Sequence, residues 1–259
     1  MAWSSASGTR LKRLFLEGFT VLDIAEPLVS FDAEQPAGYV QGFLAERDFD
    51  LVGVRVDGQV VGYGRREELA GGLLGDHCHD FGPDDLVDES ASLQAAILSL
   101  GLNGRCFVTV LDRVGAIITL SDLEKPPVRM FLFGMITILE VRLVSMIRAT
   151  FPDGTWTELV SPARLVKARE LSQERRRRTL PADLLDCLQF SDKGQLLLRI
   201  PGMLAQFQPA IPSKNAAQQA FKELETLRNN LAHAQAIIPA SWERIVRFTG
   251  NLELLLGGW

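Results

Sequence analysis

An arginine, an asparagine and a histidine stand close together in residues 220–233, whose sequence is AFKELETLRNNLAH. They are Arg228, Asn229 and His233. A histidine can take up or release a proton near neutral pH, and an arginine can stabilise the negative charge of a phosphate. In this order, the three residue types could carry out chemistry on a phosphodiester.

The spacing predicts one long helix that begins near Ser213 or Asn215 and ends at Pro239. Counted at about 100° per residue, its apolar positions fall on one narrow arc that we expect to be buried. These positions are Ala220, Leu224, Leu227, Leu231 and Ile238. Asn229 and His233 lie on roughly the opposite side. We therefore expect the histidine to point away from the core of its own domain.

Charge divides the chain into two halves, although the net charge is only −5. Residues 1–125 carry 10 basic and 20 acidic residues, whereas residues 126–259 carry 17 and 12. The sequence EKPPV at residues 124–128 is a proline-marked boundary where the balance changes sign. We therefore predict one domain over 1–125 and another over 126–259. The basic half could attract a polyanion, while the acidic half is a poor partner for nucleic acid, and no DNA binding is expected.

After the boundary the sequence predicts helices only, with no alternating strand pattern. The predicted helices cover residues 127–150, 162–179 and 182–199, then the helix of the motif, then 241–256. Glu140 interrupts the most apolar stretch. We expect its carboxylate to pair with an arginine, because a buried carboxylate needs a partner. The candidates are Arg142, Arg148 and Arg228.

This helical half, with Arg-Asn-x-x-x-His on its penultimate helix, resembles the HEPN domain, whose signature is Arg-X4-6-His. The resemblance implies cleavage of RNA without a metal, by a homodimer whose two motif helices meet across a cleft. His233 would then take the proton of the ribose 2′-hydroxyl, and its symmetry mate would protonate the leaving oxygen. Arg228 would stabilise the transition state, and Asn229 would orient the histidine or the phosphate.

The acidic half contains an internal repeat with a spacing of 54 residues. Each copy reads as helix, strand, strand and short helix. Asp57-Gly58 is the predicted hairpin turn of the first copy, and Asp112-Arg113 that of the second. The copies cover about residues 20–72 and 82–125, and a duplicated βαββα unit is the expected result. The fold class predicted for the whole chain is thus α+β.

The duplicated unit resembles a CBS-domain pair, a module that binds adenine nucleotides in its clefts. Residues 116–123, AIITLSDL, match the family signature G-h-h-T-x-x-D-h except that alanine replaces glycine. The resemblance implies that Thr119 touches a phosphate or ribose and that Asp122 accepts hydrogen bonds from the ribose. Capping of the following short helix would explain the same spacing equally well. Arg65 replaces the threonine in the first copy, and could pair with a phosphate or be solvated.

The remaining features predict neither a metal site nor a membrane segment. His77, Cys78 and His79 are adjacent, so in an extended segment they would not converge on one ion. The apolar run 130–139 is too short to span a bilayer and reads as a core helix. The N-terminus lacks a signal-peptide pattern, and three cysteines without ligand spacing suit a reducing cytoplasm.

Together these features predict a ribonuclease of HEPN type that needs no cofactor for catalysis. Its regulatory ligand would be ATP, AMP or a related adenine nucleotide bound to the CBS-like pair. The alternative is a dimeric regulatory protein that senses a nucleotide or binds RNA without cleaving it. Toxin, antiviral defence and housekeeping roles all stay open.

Overall fold

The computed structural model describes residues 10, 13–180, 183–207, 211–238 and 241–256. The chain forms two compact units. The repeat unit is Leu16–Val128, and the helical unit combines Met1–Phe15 with Arg129–Trp259.

The repeat unit contains two copies of one strand-helix-strand-strand motif. The first copy consists of β2 (Ser30–Asp32), α1 (Ala37–Glu46), β3 (Leu51–Val56) and β4 (Gln59–Arg65). The second consists of β6 (Leu86–Asp88), α2 (Leu93–Asn103), β7 (Arg105–Val110) and β8 (Arg113–Thr119). Each copy ends in a 3-10 turn, Arg66–Glu68 or Leu120–Glu124. The two hairpins and the turns that follow them begin 54 residues apart, as the repeat predicted.

Two further strands, β1 (Glu26–Pro27) and β5 (His79–Asp80), complete two four-stranded sheets with the orders β1-β8-β7-β6 and β2-β3-β4-β5. In each sheet, one edge strand comes from the segment that precedes the other copy in the chain. Strand β1 (Glu26–Pro27) precedes the first copy and pairs with β8 of the second. Strand β5 (His79–Asp80) precedes the second copy and pairs with β4 of the first. This exchange ties the two copies into one unit.

The hairpin turns require backbone in the left-handed region. In the first copy Asp57 and Gly58 have φ angles of 49° and 75°, which confirms the predicted turn. In the second copy Leu111 and Asp112 occupy these positions, with φ angles of 51° and 61°. The prediction of Asp112-Arg113 was therefore wrong by one residue, since Arg113 already begins β8.

Apolar residues of α1 and β3 form the core beside the first sheet. Val40 and Leu44 of the helix pack with Val52 and Val54 of the strand, and all are buried. Alternation along β3 places these valines inside, as a half-buried strand requires.

In the helical unit the described elements are all helices. They are α3 (Pro126–Thr150, which begins in the repeat unit), α4 (Pro162–Arg177), α5 (Phe190–Leu197), α6 (Lys214–Ala232), α7 (Trp242–Gly250) and α8 (Leu252–Leu256), with short 3-10 turns between them. The third predicted helix is shorter than expected, and the last is divided between α7 and α8. Residues 181 and 182, where the third was predicted to begin, lie outside the described residues.

Helix α3 is long and apolar enough to cross a membrane by length and composition. It is longer than the ten-residue stretch that the sequence singled out. However, 56% of its most apolar 18-residue window is buried inside the protein. Such burial is what the core helix of a domain shows, because its apolar side chains already pack against other helices.

Candidate functional site

An open cleft of about 670 Å3 lies in the repeat unit, at the ends of the two hairpins. Positions 54 residues apart line it in pairs. These pairs are Asp50 with Gly104, Leu51 with Arg105, Arg65 with Thr119, Arg66 with Leu120, and Glu67 with Ser121. Asn103 completes the lining. The two copies therefore share this cleft equally.

Two arginines of the cleft, one from each copy, meet at the buried side chain of Tyr63. Arg105 donates from Nη2 to the Tyr63 hydroxyl at 2.6 Å, and its guanidinium lies 4.7 Å from the ring centroid. A hydrogen bond with Tyr63 also raises the pKa of Arg65 above its ordinary value. The buried Nε atoms of Arg65 and Arg105 have no hydrogen-bond partner among the described residues.

These two arginines are only partly neutralised by carboxylates. The Glu68 carboxylate lies 3.7 Å from Arg65, near the limit for an ion pair, and both side chains are more than a third exposed. By contrast, Arg66 forms close ion pairs with Asp48 and Asp50, at 3.3 and 2.7 Å. The positive charge available to a ligand therefore comes from Arg65 and Arg105.

Thr119 lines the cleft, whereas Asp122 is buried behind it. The Asp122 carboxylate accepts the Thr119 backbone N–H at 2.7 Å and its hydroxyl at 3.0 Å. It also forms an ion pair with Lys125 at 2.8 Å. These contacts make Asp122 the cap of the turn Leu120–Glu124, so a ribose would have to compete with them.

The helix that carries the motif ends earlier than predicted. Helix α6 stops at Ala232, with His233 as its C-cap, and Ala234 has a left-handed φ of 53°. Two carbonyls at this end, those of Asn230 and Gln235, accept hydrogen bonds from the Arg129 guanidinium at 3.2 and 3.0 Å. These bonds stabilise the early end, and the predicted stop at Pro239 lies outside the described residues.

The structure brings Arg228 and Asn229 into contact and leaves His233 exposed. The Arg228 guanidinium donates to the Asn229 side-chain oxygen at 3.2 Å. Both Asn229 and His233 are exposed, while Leu224, Leu227 and Leu231 of the same helix are buried. The outward direction predicted for the histidine is therefore confirmed within its own unit.

The carboxylate of Glu140 forms an ion pair with Arg228. Its Oε2 lies 3.2 Å from Arg228 Nη1, which confirms one of the three predicted pairings. Its Oε1 accepts a bond of 2.6 Å from Lys193, whose side chain is only 3% exposed. Two cations thus share one carboxylate, so the positive charge of Arg228 is only partly compensated.

Sequence reasoning missed Arg105, Tyr63 and Lys193. Arg105 begins a strand, and Tyr63 lies in an apolar run, so neither carries a motif. The signal that could have found Arg105 is its alignment with Leu51, where an arginine replaces an apolar residue. Lys193 stands beside Gly194, and nothing in its spacing marks it as buried.

Among the described residues, no group of three or more His, Cys, Asp or Glu side chains is arranged to hold a metal ion. His77 and His79 have other partners. His77 Nε2 donates to the Gly71 carbonyl at 2.7 Å, and His79 Nε2 bonds to the Glu68 carboxylate.

Searches of family models and of curated proteins found no match to the chain. Solved structures of CBS-domain proteins are similar to about half of it. The structure of CBSX2 in complex with AMP is 20% identical and covers 41% of this chain and 93% of its own, with a TM-score of 0.37. The CBS domain of a bacterial CNNM/CorC family Mg2+ transporter in complex with ATP is 17% identical and covers 51% and 99%, with a TM-score of 0.37. CbpB in complex with c-di-AMP is 17% identical and covers 46% and 90%, also with a TM-score of 0.37.

Proposed function

We propose that the cleft of the repeat unit binds an adenine nucleotide and that the chain is a nucleotide-responsive regulatory protein. The observation that carries this proposal is the bond of Arg105 to the Tyr63 hydroxyl in the cleft that Arg65 also lines. Two guanidinium groups whose positive charge is only partly neutralised can bind phosphate, since arginine donates paired N–H hydrogen bonds to phosphate oxygens. We call Arg65, Arg105 and Tyr63 the arginine pair site.

The size and lining of the cleft agree with a nucleotide. Pockets for ligands of this kind have volumes of roughly 300–1,000 Å3, and the cleft has about 670 Å3. Leu51 and Leu120 offer apolar surface to a base, and Ser121 offers a hydroxyl to a ribose or phosphate. Thr119 would have to release its bond to Asp122 before its hydroxyl could bind the ligand.

The direct test is calorimetric titration of the purified protein with ATP, AMP and c-di-AMP, the ligands named for three similar structures. We expect binding of at least one of them, and a 10- to 100-fold weaker affinity (about 1.4–2.8 kcal/mol) in Arg65→Ala or Arg105→Ala. Arg55→Ala is the matched control, because Arg55 pairs with Asp32 outside the cleft. Absence of binding by the wild type, or equal losses in all three variants, would reject the site.

We propose as a second candidate that the helical unit is a metal-independent endoribonuclease of HEPN type, controlled by the nucleotide. The observation that favours it is the contact of Arg228 with Asn229, one turn from an exposed His233. In a homodimer, one His233 would act as base and its symmetry mate as acid, and Arg228 would stabilise the transition state. The partners would be RNA and a second chain, in the cytoplasm.

This second candidate is tested by RNA degradation in the presence of EDTA, with and without the nucleotide. We expect His233→Ala to lose cleavage by at least 10²-fold, whereas His77→Gln should retain it. Sedimentation analysis should show a dimer under the assay conditions. Equal cleavage by the wild type and His233→Ala would end the catalytic assignment. Nucleotide binding without any RNA turnover would instead favour the regulatory protein without catalysis.

A further inference from the structure

A histidine and a glutamate stand behind the arginine pair site, and neither lines the cleft. His79 of β5 bonds through Nε2 to one oxygen of the Glu68 carboxylate. The other oxygen of Glu68 lies 3.7 Å from Arg65 Nη1. The His79 ring also stacks on Tyr63, with ring centroids 5.3 Å apart. One carboxylate is thus shared between a histidine and the arginine that would bind phosphate.

The exchange of strands described above creates this arrangement. His79 lies in β5, whose register places it opposite Tyr63 of β4. Glu68 lies in the turn Arg66–Glu68 that follows β4. The strand that joins the two copies therefore brings a histidine next to the Tyr63 side of the cleft that both copies line.

Other charged groups surround His79 and Glu68. The groups on neighbouring elements are Arg65 of β4, Glu67 of the following turn, Asp76 and His77 of the turn Leu74–His77, Asp80 of β5 and Arg105 of β7. Of these, Asp76 accepts the Leu73 N–H at 2.9 Å, and His77 bonds to a backbone carbonyl. Carboxylates outnumber arginines in this neighbourhood, so one additional proton makes the local net charge less negative.

We propose that His79 and Glu68 form a proton-linked control of phosphate affinity at the arginine pair site. The proposal rests on the proposed nucleotide site. When His79 is neutral, Glu68 keeps its full charge and competes with phosphate for Arg65. When His79 is protonated, it neutralises Glu68 and leaves Arg65 to the ligand. Nucleotide affinity should therefore rise as the pH falls and His79 gains a proton.

The electrostatics of Glu68 agree with this coupling. The hydrogen bond from His79 lowers the pKa of Glu68 below its ordinary value, and the charges of His79 and Arg65 lower it further. Glu68 therefore keeps its charge to lower pH than an ordinary glutamate, which the competition for Arg65 requires.

The experiment compares the dissociation constant of ATP at about pH 8 and about pH 6 in four proteins. They are the wild type, His79→Gln, Glu68→Gln and the control His77→Gln. Titration of the ATP phosphate itself is common to all four, so the ratio of each protein to His79→Gln isolates the contribution of His79. We expect the wild type and His77→Gln to gain roughly three- to tenfold in affinity relative to His79→Gln as the pH falls. Glu68→Gln should already bind tightly at the higher pH and follow the pH course of His79→Gln.

The outcomes separate this inference from the proposed function. If ATP binds but the wild type and His79→Gln follow the same pH course, the proton link is wrong while the nucleotide site stands. If His77→Gln loses the pH effect and His79→Gln keeps it, the wrong histidine has been assigned. If the wild type binds ATP at neither pH, and AMP and c-di-AMP also fail, both the site and its control fall.

Discussion

Arginines meet carboxylates both in the cleft of the repeat unit and beneath the motif of the helical unit, but the two settings differ in burial. Arg228 pairs at 3.2 Å with Glu140, whose second oxygen bonds to the buried Lys193. Arg65 lies 3.7 Å from Glu68, and both of these side chains are open to solvent. The first arrangement holds helices together, whereas the second leaves an arginine available to a ligand.

A recognisable sequence motif therefore does not by itself indicate an arginine that is available to a ligand. The helical unit carries the recognisable sequence Arg-Asn-x-x-x-His, but its arginine is already engaged by Glu140. The cleft has a less complete signature, but among the described residues its two arginines have no carboxylate partner closer than the 3.7 Å between Arg65 and Glu68. Removal of one member of a buried ion pair is costly, while an exposed pair contributes little. We therefore expect substitutions of the ion-paired residues beneath the motif to lower mainly the stability. Substitutions of the arginines in the cleft should lower mainly the affinity for a ligand.

The largest expected effect is on stability, from Glu140→Ala. The substitution leaves Lys193 buried without its carboxylate, and we expect a loss of about 3–5 kcal/mol in the free energy of unfolding. Urea denaturation followed by circular dichroism measures it. Asp183→Ala is the control, since Asp183 pairs with Arg148 at the surface and should cost about 0–1 kcal/mol. Similar losses in both variants would show that the buried cluster contributes no more than a surface pair.

The two copies of the repeat provide a second, internal comparison. Asp122 and Glu68 occupy equivalent positions, but Asp122 caps its own turn and binds Lys125, whereas Glu68 reaches His79. We expect Asp122→Ala to destabilise the protein by about 2–3 kcal/mol, because a cap and a buried ion-pair partner are lost together. Glu68→Ala should have a much smaller effect on thermal unfolding. A larger loss for Glu68→Ala would reverse the roles that we assign to the two copies.

Sequence reasoning predicted the repeat because its signals are local. The alternating valines of β3 and the Asp57-Gly58 turn depend on neighbouring residues only, and the spacing of 54 residues appears when two such local patterns are aligned. The exchanged strands β1 and β5 could not be predicted, since each has two residues and pairs with a distant hairpin.

The prediction for the motif helix was correct for its buried side and wrong for its end. The apolar stripe follows the helical period, so Leu224 and Leu227 are buried as expected. The early stop depends on Ala234, which adopts a left-handed conformation without being glycine, and on Arg129, about 100 residues earlier in the chain. Such a long-range contact leaves no pattern near residue 233.

Tyr63→Phe should have a smaller effect that sharpens the description of the cleft. It removes the hydroxyl that accepts the 2.6 Å bond from Arg105 and keeps the ring on which His79 stacks. We expect a stability loss of about 1 kcal/mol and a nucleotide affinity reduced severalfold, because the guanidinium groups lose their fixed orientation. Tyr39→Phe, at an exposed tyrosine of α1, is the control. Unchanged affinity in Tyr63→Phe would show that the hydroxyl does not position the arginines.

The smallest expected effect is on the pH dependence of stability, which should have opposite signs for one carboxylate in each region. Burial raises the pKa of Asp192 in the helical unit, although Arg164 offsets part of the rise, whereas His79 lowers the pKa of Glu68. A raised carboxylate pKa means that the charged form opposes folding, so the wild type should gain stability relative to Asp192→Asn as the pH falls from the raised pKa towards the ordinary value of about 3.9. A lowered carboxylate pKa means that the charged form favours folding. The advantage of the wild type over Glu68→Gln should be complete above about pH 4.3 and disappear as the pH falls through the lowered pKa.

Urea denaturation of the three proteins over a series of acidic pH values tests these signs. Slopes of the same sign for the two variants would contradict the contrast between a carboxylate buried beside Arg164 and one held by His79 at the surface. Opposite slopes would tie the difference between the regions to the protonation of two named side chains. The carboxylate bonded to His79 would then be the one that keeps its negative charge to lower pH, as its competition with phosphate for Arg65 requires.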